Sequence, residues 1–299
     1  MSSAALQAER ARRFEREHAR RLRALAYRML GSRADAEDMV QEAWLRWAEV
    51  DEAAIVTPAA FLTTLVTRLC LDRLRSAAVQ RETYVGSWLP EPLIDCAEQW
   101  CPGPEVRTEW AQQVSMAFML ALERLSPLER AAFILHDVFD VDFECIGAEL
   151  GRSAVACRQL ASRARRRVQQ TQVRQPLRRE DVERAQRAFA AALVEGDVAA
   201  LTRVLADEVR LLSDGGGRVA AVPRPLEGAA RVAQVLVGFR KSLALTALRI
   251  DAVVINGSPG WLLREEASGR CLQTVSVEVD AQGRVAAVYI VRNPDKLPG

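Results

Sequence analysis

Two short stretches of helical apolar periodicity meet at Gly151, and this junction restricts the chain more than any other feature. Phe143, Ile146, Gly147 and Leu150 share one face before it, and Val155, Leu160, Ala164 and Val168 share one after it. The pattern predicts two helices joined by a glycine turn, with Ser153 as N-cap of the second. The charges are segregated in the same way. Asp137, Asp140, Asp142, Glu144 and Glu149 precede Gly151. Arg152, Arg158, Arg163, Arg165, Arg166, Arg167, Arg174, Arg178 and Arg179 follow it without one intervening acid. In a helix-turn-helix the second helix enters the DNA major groove, and its flanking arginines neutralise phosphates. An arginine run by itself is more often a solvated face. The helix-glycine-helix context, with acids confined to one side of the turn, points to nucleic acid.

The formal charge of +2 on 299 residues conceals this map. The balance is +2 over residues 1–80, −9 over 81–151, +7 over 152–184 and +2 over 185–299. The length predicts two or three domains, each able to bury its own core. No apolar run reaches membrane-spanning length, and the N-terminal stretch is polar and arginine-rich without a signal-peptide core. A cytoplasmic protein without membrane contact is expected. Cys70, Cys96, Cys101, Cys145, Cys157 and Cys271 form no CxxC pair, and His18 and His136 are the only histidines. Reduced thiols, mostly in the core, are therefore expected, with no structural zinc and no cofactor. A redox pair of Cys96 and Cys101 is the minor alternative.

Upstream, Phe14, Leu22, Leu25, Ala26, Met29 and Leu30 predict a helix over Arg10–Leu30 that stops at Gly31. Ser32 with Asp35 starts the next, whose buried face reads Ala36, Met39, Val40, Ala43, Trp44 and Trp47. Its opposite face presents Glu37, Asp38, Gln41 and Glu42. Thr57 before Pro58 opens a third helix, which buries Phe61, Leu62, Leu65, Val66, Leu69 and Leu74 and exposes Arg68, Arg73 and Arg75. Further on, Ser126-Pro127-Leu128-Glu129 is a capping box.

The run Ala36-Glu37-Asp38-Met39-Val40-Gln41-Glu42-Ala43-Trp44-Leu45-Arg46-Trp47 resembles region 2 of bacterial extracytoplasmic-function sigma factors, as do Ala60-Phe61-Leu62 and Leu71-Asp72-Arg73-Leu74-Arg75. Ser126-Pro127-Leu128-Glu129-Arg130 resembles the start of a region 4 helix. The resemblance covers about the first 170 residues. It implies a promoter-specificity subunit that binds core RNA polymerase and promoter DNA, and is not an enzyme. Region 2 would dock on polymerase through Asp38, Gln41 and Glu42 and open the −10 element, with Arg68, Arg73 and Arg75 facing DNA and a base pocket in the loop between Val50 and Pro58. Region 4 would read the −35 element through Arg152, Ser153, Ala156, Arg158, Gln159 and Arg163, with Arg165 and Arg166 on phosphates.

Residues 81–110 break the helical pattern with Tyr84-Val85-Gly86-Ser87-Trp88-Leu89-Pro90-Glu91-Pro92-Leu93. An apolar motif in a loop needs a surface to pack on or a partner to bind; packing on a neighbouring domain is the favoured reading. After residues 171–180, helices are expected near 181–194, 198–205 and 228–241. Strands are expected near 247–256, 260–266, 271–280 and 284–292, the last two joined by the hairpin Asp280-Ala281-Gln282-Gly283. Asp214-Gly215-Gly216-Gly217-Arg218 reads as a tight turn between two strands. Helices first and then a curved antiparallel sheet predict an α+β cone. It resembles the SnoaL-like, nuclear-transport-factor-like fold that a subgroup of these sigma factors carries. Trp88, Leu89, Pro90, the turn Asp214, Gly215, Gly216 and Gly217, and the tail Asn293-Pro294-Asp295-Lys296-Leu297 resemble the subgroup's motifs, and imply a regulatory interface with the sigma module that includes Asn293, Pro294 and Asp295.

The expected organisation is thus region 2 over 1–80, a linker over 81–110, region 4 over 111–170, a second linker over 171–180 and the cone over 181–299, monomeric when free. A cone-fold enzyme or ligand sensor with an attached DNA-binding module is the rival. It would need an acid–base group in an enclosed pocket, and only Asp214, Glu278 and Tyr289 offer one.

Overall fold

The computed structural model describes residues 3–82, 84–95, 100, 107–171, 179–243 and 247–298. The chain forms two compact units. The first comprises Met1–Glu82, Cys96–Val114 and Phe118–Thr171; the second comprises Thr83–Asp95, Ser115–Ala117 and Gln172–Gly299. The expected first linker is thereby divided, and its Trp88-bearing half belongs with the C-terminal domain. Cys96 and Cys101, the alternative redox pair, lie outside the described residues; Cys70, Cys157 and Cys271 are buried free thiols and Cys145 is exposed.

In the first unit, α1 (Ser3–Phe14) runs through a widened π-helical turn (Glu15–Ala19) into α2 (Arg20–Leu30). Gly31 ends it at φ 70°, donating its N–H to the Tyr27 carbonyl. This left-handed closure is what a glycine permits at little cost. Ser32 caps α3 (Arg33–Glu49) by accepting from the Asp35 N–H at 3.1 Å. With α4 (Pro58–Glu82) these helices bury Leu25, Tyr27, Val40, Trp47, Leu62 and Val66. Met39, Trp44, Phe61, Leu65 and Leu69, expected inside, are half-buried at the rim.

Next come α5 (Arg107–Gln112), α6 (Met116–Glu123) and α7 (Pro127–Phe133), the last widening into a second π-helical turn (Ile134–Val138). Ser126 and Glu129 complete both arms of the predicted capping box. The helix-turn-helix is α8 (Phe143–Leu150) and α9 (Ala154–Thr171). Gly151 makes the turn at φ 64°, Arg152 N–H donates to the Gly147 carbonyl at 2.9 Å, and Ser153 Oγ accepts from Ala156 N–H at 3.2 Å. A second glycine is needed for closeness: a Cβ on Gly147 would stand 2.7 Å from the Arg152 carbonyl oxygen. The buried face of α9 differs from expectation. Val155, predicted in the core, is 59% exposed, and Leu160 is half-buried. Cys157, Ala161, Ala164 and Val168 are the buried residues, and α9 packs on α7. Small side chains let helices approach closely, so they carry a packing face that a search for large apolar residues reads wrongly.

The second unit places α10 (Arg179–Glu195), α11 (Val198–Val204) and α12 (Ala229–Leu243) with six strands: β1 (Leu205–Asp214), β2 (Leu226–Glu227), β3 (Leu248–Ile255), β4 (Ser258–Glu265), β5 (Cys271–Val279) and β6 (Val285–Val291). The sheet order is β2-β1-β6-β5-β4-β3. The expectation of an antiparallel sheet is corrected here. β1 pairs parallel with β6, Leu211 lying opposite Val288, so the sheet is mixed. No hairpin joins these two strands; the rest of the domain intervenes, which allows a parallel crossover. The expected helix over 198–205 stops at Val204 because Leu205 opens β1, and the glycine turn after Asp214 leads into a loop rather than directly into β2. Bulges at Leu263/Arg264 and Glu278/Val279 bend the central strands. Phe189, Leu201, Val209, Leu236, Val277 and Val288 pack helices onto one sheet face, while Thr274, Ser276 and Tyr289 are buried on the other.

Candidate functional site

The basic face is built by α9. Arg152 and Ser153 just before the helix, and Arg158, Gln159 and Arg166 on it, are exposed, and Ala156 is half-buried. Arg158 lies over the Phe143 ring at 5.2 Å, which aims it without neutralising it. The second half of the helix is engaged differently. Arg163 Nε donates to Glu129 Oε1 at 3.1 Å, Arg167 Nη1 to Glu129 Oε2 at 2.9 Å, and Arg165 pairs with Asp137. Arg163 and Arg165 are therefore held by acids of their own unit, whereas sequence reasoning placed them with the DNA-facing group.

The acidic face is built by α3. Asp38 and Gln41 are exposed; Glu42 is half-buried and accepts from Arg46 Nε at 2.8 Å. Beside Gln41 an open groove is floored by Phe14, Val40 and Trp44. On α4, Arg68, Arg73 and Arg75 are exposed, with Arg73 donating to Asp35 at 2.6 Å and Arg75 to Asp72 at 3.0 Å. In the loop before α4, Val56 is 99% exposed, while Arg10 holds the Ala48 and Val50 carbonyls at 3.1 and 2.9 Å.

The helical segments carrying these two faces touch within the first unit. Arg130 Nη1 donates to the Met29 carbonyl at 2.6 Å and to Glu123 at 2.7 Å, largely out of solvent. Arg28, 2% exposed, donates to the Gln113 carbonyl and side chain at 3.2 Å and lies over Phe139. Burial pulls its pKa down to about 10, which leaves it charged at neutral pH. Glu149 of α8 meets Thr64 of α4 at 3.4 Å, and burial pushes its carboxyl up.

The second unit brings the remaining predicted residues to one node. Asp214, fully buried, accepts from Tyr84 Oη at 2.6 Å, Leu89 N–H at 2.9 Å, Gly216 N–H at 3.0 Å and Lys296 Nζ at 2.8 Å. Lys296 also donates to the Leu89 carbonyl at 2.6 Å and lies over the Trp88 ring at 4.3 Å. Asn293 Nδ2 donates to Tyr84 Oη at 3.0 Å, and burial together with the Asp214 bond pushes that phenol up. A Cβ on Gly216 would stand 2.4 Å from Asn293 Cγ, so this glycine admits the tail. Leu89 and Pro90 are buried, and Pro294 and Asp295 exposed, with Asp295 on Arg218 at 3.0 Å. The favoured packing of the Trp88 motif on a neighbouring domain is what the second unit contains.

Sequence reasoning missed Asn256. Its side chain accepts from Leu93 N–H at 2.9 Å, its own N–H donates to the Leu93 carbonyl at 2.8 Å, and Ile94 bridges Ile255. The linker thus covers the outer edge of β3, and the Asn256-Gly257 hairpin dipeptide was the available signal. Glu129 and Lys296 were named as parts of motifs but not as charge partners. Of the proposed acid–base groups, Asp214 has its oxygens occupied, and Tyr289 Oη donates to Glu278 at 2.9 Å, where burial pushes the carboxyl up. Among the described residues no group of three potential ligands could hold a metal, and no helix is long and apolar enough to cross a membrane.

These faces coincide with matches to known proteins. Sigma-70 region 2 matches residues 15–79 and sigma-70 region 4 matches residues 115–168. The ECF RNA polymerase sigma factor SigJ of Mycobacterium tuberculosis is 38% identical over 288 residues, spanning 93% of this chain and 90% of that protein. The probable ECF RNA polymerase sigma factor SigI of the same species is 30% identical over 285 residues, spanning 94% and 93%. The crystal structure of M. tuberculosis SigJ aligns with a TM-score of 0.71 at 33% identity, covering 99% of this chain and 98% of that one. Two region matches in the expected order, and a relative alike over nearly its whole length, settle the family: the chain belongs to the extracytoplasmic-function RNA polymerase sigma factors.

Proposed function

We propose that the chain acts by binding rather than turnover. Region 2 docks on core RNA polymerase through Asp38, Gln41 and Glu42 and opens the −10 element, region 4 reads the −35 element through the first turns of α9, and the C-terminal domain regulates both in cis. The observation that carries this reading is the pair of exposed faces of opposite charge, one on each matched region, with polar side chains unburied at the predicted positions.

The packing of α2 and α4 against the helix-turn-helix segment supports a mechanism of regulation. Elements at −10 and −35 lie roughly 25 base pairs apart, about 85 Å of duplex at ~3.4 Å per step. Helices joined through Arg130 and Met29 cannot read both at once, so the module opens to work. The tether that limits this opening includes Tyr84–Asp95, which the C-terminal domain holds at Asp214, Lys296 and Asn256. Twelve residues released from that grip add up to about 40 Å of reach at ~3.3 Å each. A domain that grips or frees them sets how far the regions separate.

The test is capture of core polymerase by the full chain. Asp38→Arg with Glu42→Arg is expected to abolish capture while leaving helical content by circular dichroism unchanged. Capture at the level of the parent chain would overturn the assignment of the α3 face.

A further inference from the structure

Glu129 is placed where it can control the recognition helix without facing DNA. It sits in the first turn of α7, 5% exposed, with Ser126 N–H and Oγ donating to Oε2 at 3.1 and 2.9 Å. Arg163 Nε and Arg167 Nη1 complete its shell from α9, one on each oxygen. These arginines are one helical turn apart, so a single carboxylate fixes both the rotation and the axial position of α9 on α7. Their side chains remain 47% and 52% exposed. Burial pushes the Glu129 carboxyl up, but the Ser126 and arginine hydrogen bonds more than offset it and hold it below the usual carboxylate range.

Resting on the reading of α9 as the −35 helix, we infer that Glu129 is a positioning and specificity residue of region 4: it locks the helix so that Arg152, Arg158 and Gln159 meet base edges, and it restrains Arg163 and Arg167 from binding phosphate indiscriminately. Two consequences have opposite signs. Loss of the Glu129 charge loosens the helix and weakens discrimination by sequence. The same loss releases both guanidiniums from the carboxylate, so affinity for any duplex rises and becomes more salt-dependent. A residue that merely stabilised the fold would lower both kinds of binding together.

The experiment uses the full chain bound to core polymerase and Glu129→Gln, which keeps a side chain able to complete the Ser126 capping box. Binding to a duplex with the preferred −35 element and to a scrambled duplex is measured across a salt series. The expected result is about a tenfold loss of preference between the two. Binding to the scrambled duplex is expected to tighten, its logarithmic salt slope steepening by about one to two, and Arg163→Ala with Arg167→Ala in the same background removes that gain. An unchanged preference and slope, or a parallel loss of both bindings, overturns the inference. Arg158→Ala separates the two readings: if it abolishes the −35 preference while Glu129→Gln changes nothing, α9 is the reader and the Glu129 proposal alone fails.

Discussion

The two units use charge in opposite ways. In the first, Asp38 on α3, Arg152 in the turn before α9, and Arg158 and Arg166 on α9 are exposed. In the second, Asp214 is fully buried with Lys296 nearly so, and Glu278 sits beneath Tyr289. A solvated charge costs little to keep and remains available to a partner, whereas a buried one persists only where its hydrogen bonds are met inside. The difference separates charges left open to solvent, and so to any partner, from charges held within the fold. The first unit has its own held charges in Arg28, Arg130 and Glu129, each buried and hydrogen-bonded within that unit.

The largest expected effect breaks the node of the second unit. Asp214→Ala leaves the Lys296 ammonium, 12% exposed, without its carboxylate and strips partners from Tyr84 Oη and Leu89 N–H. Removing one partner of a buried pair typically costs about 3–5 kcal/mol. Denaturant unfolding of the full chain is expected to show that loss, and proteolysis is expected to reach the segment around Trp88. If stability is unchanged, the node is not a structural clamp and the contrast between the units collapses.

A smaller change on an exposed face tests the other half of the comparison. Arg158→Ala is expected to alter −35 preference by about 1–3 kcal/mol, the scale of one base contact, with no change in unfolding midpoint. Arg166→Ala is expected to weaken binding to all duplexes alike and reduce the salt slope by about one. Competition binding at several salt concentrations distinguishes them. A drop in stability from either substitution would make that arginine structural, as Arg163 and Arg167 partly are.

How much of the fold and of the faces is legible in the sequence depends on how far apart the interacting residues lie. Capping at Ser32, Ser126 and Ser153 spans three residues, and each is present as expected. Periodicity misjudged α9 because the buried positions are small, Cys157 and Ala161, while the exposed Val155 is the more hydrophobic-looking choice. The parallel pairing of β1 with β6 joins Leu211 to Val288, and the Asp214 node joins Tyr84 to Asn293. No local pattern encodes such separations; family motifs named the node's members, while their hydrogen bonds became visible only in three dimensions. Glu129 illustrates both regimes, since its capping role is local and its arginine partners are 34 and 38 residues away.

The finest test asks whether every buried charge in the second unit is a held charge. Glu278 differs from Asp214: it accepts from Tyr289 Oη at 2.9 Å, and burial pushes its carboxyl above the usual range despite that bond. A raised carboxyl pKa means the folded state binds the proton more tightly than the unfolded chain, whose value lies near ~4.3. The stability linked to that proton is fully present below the unfolded pKa and is lost as pH rises through the folded one. Above the unfolded value, folding around Glu278 therefore carries a penalty. Glu278→Gln keeps an acceptor for Tyr289 and removes the charge, so it is expected to raise the melting temperature modestly at neutral pH. The difference from the parent chain should shrink as pH falls and vanish once Glu278 is protonated in both folded and unfolded states. Melting curves of the full chain across that pH range measure it. A lower melting temperature at neutral pH would show that Glu278 is clamped as a carboxylate, like Asp214, and would extend the second unit's rule rather than limit it.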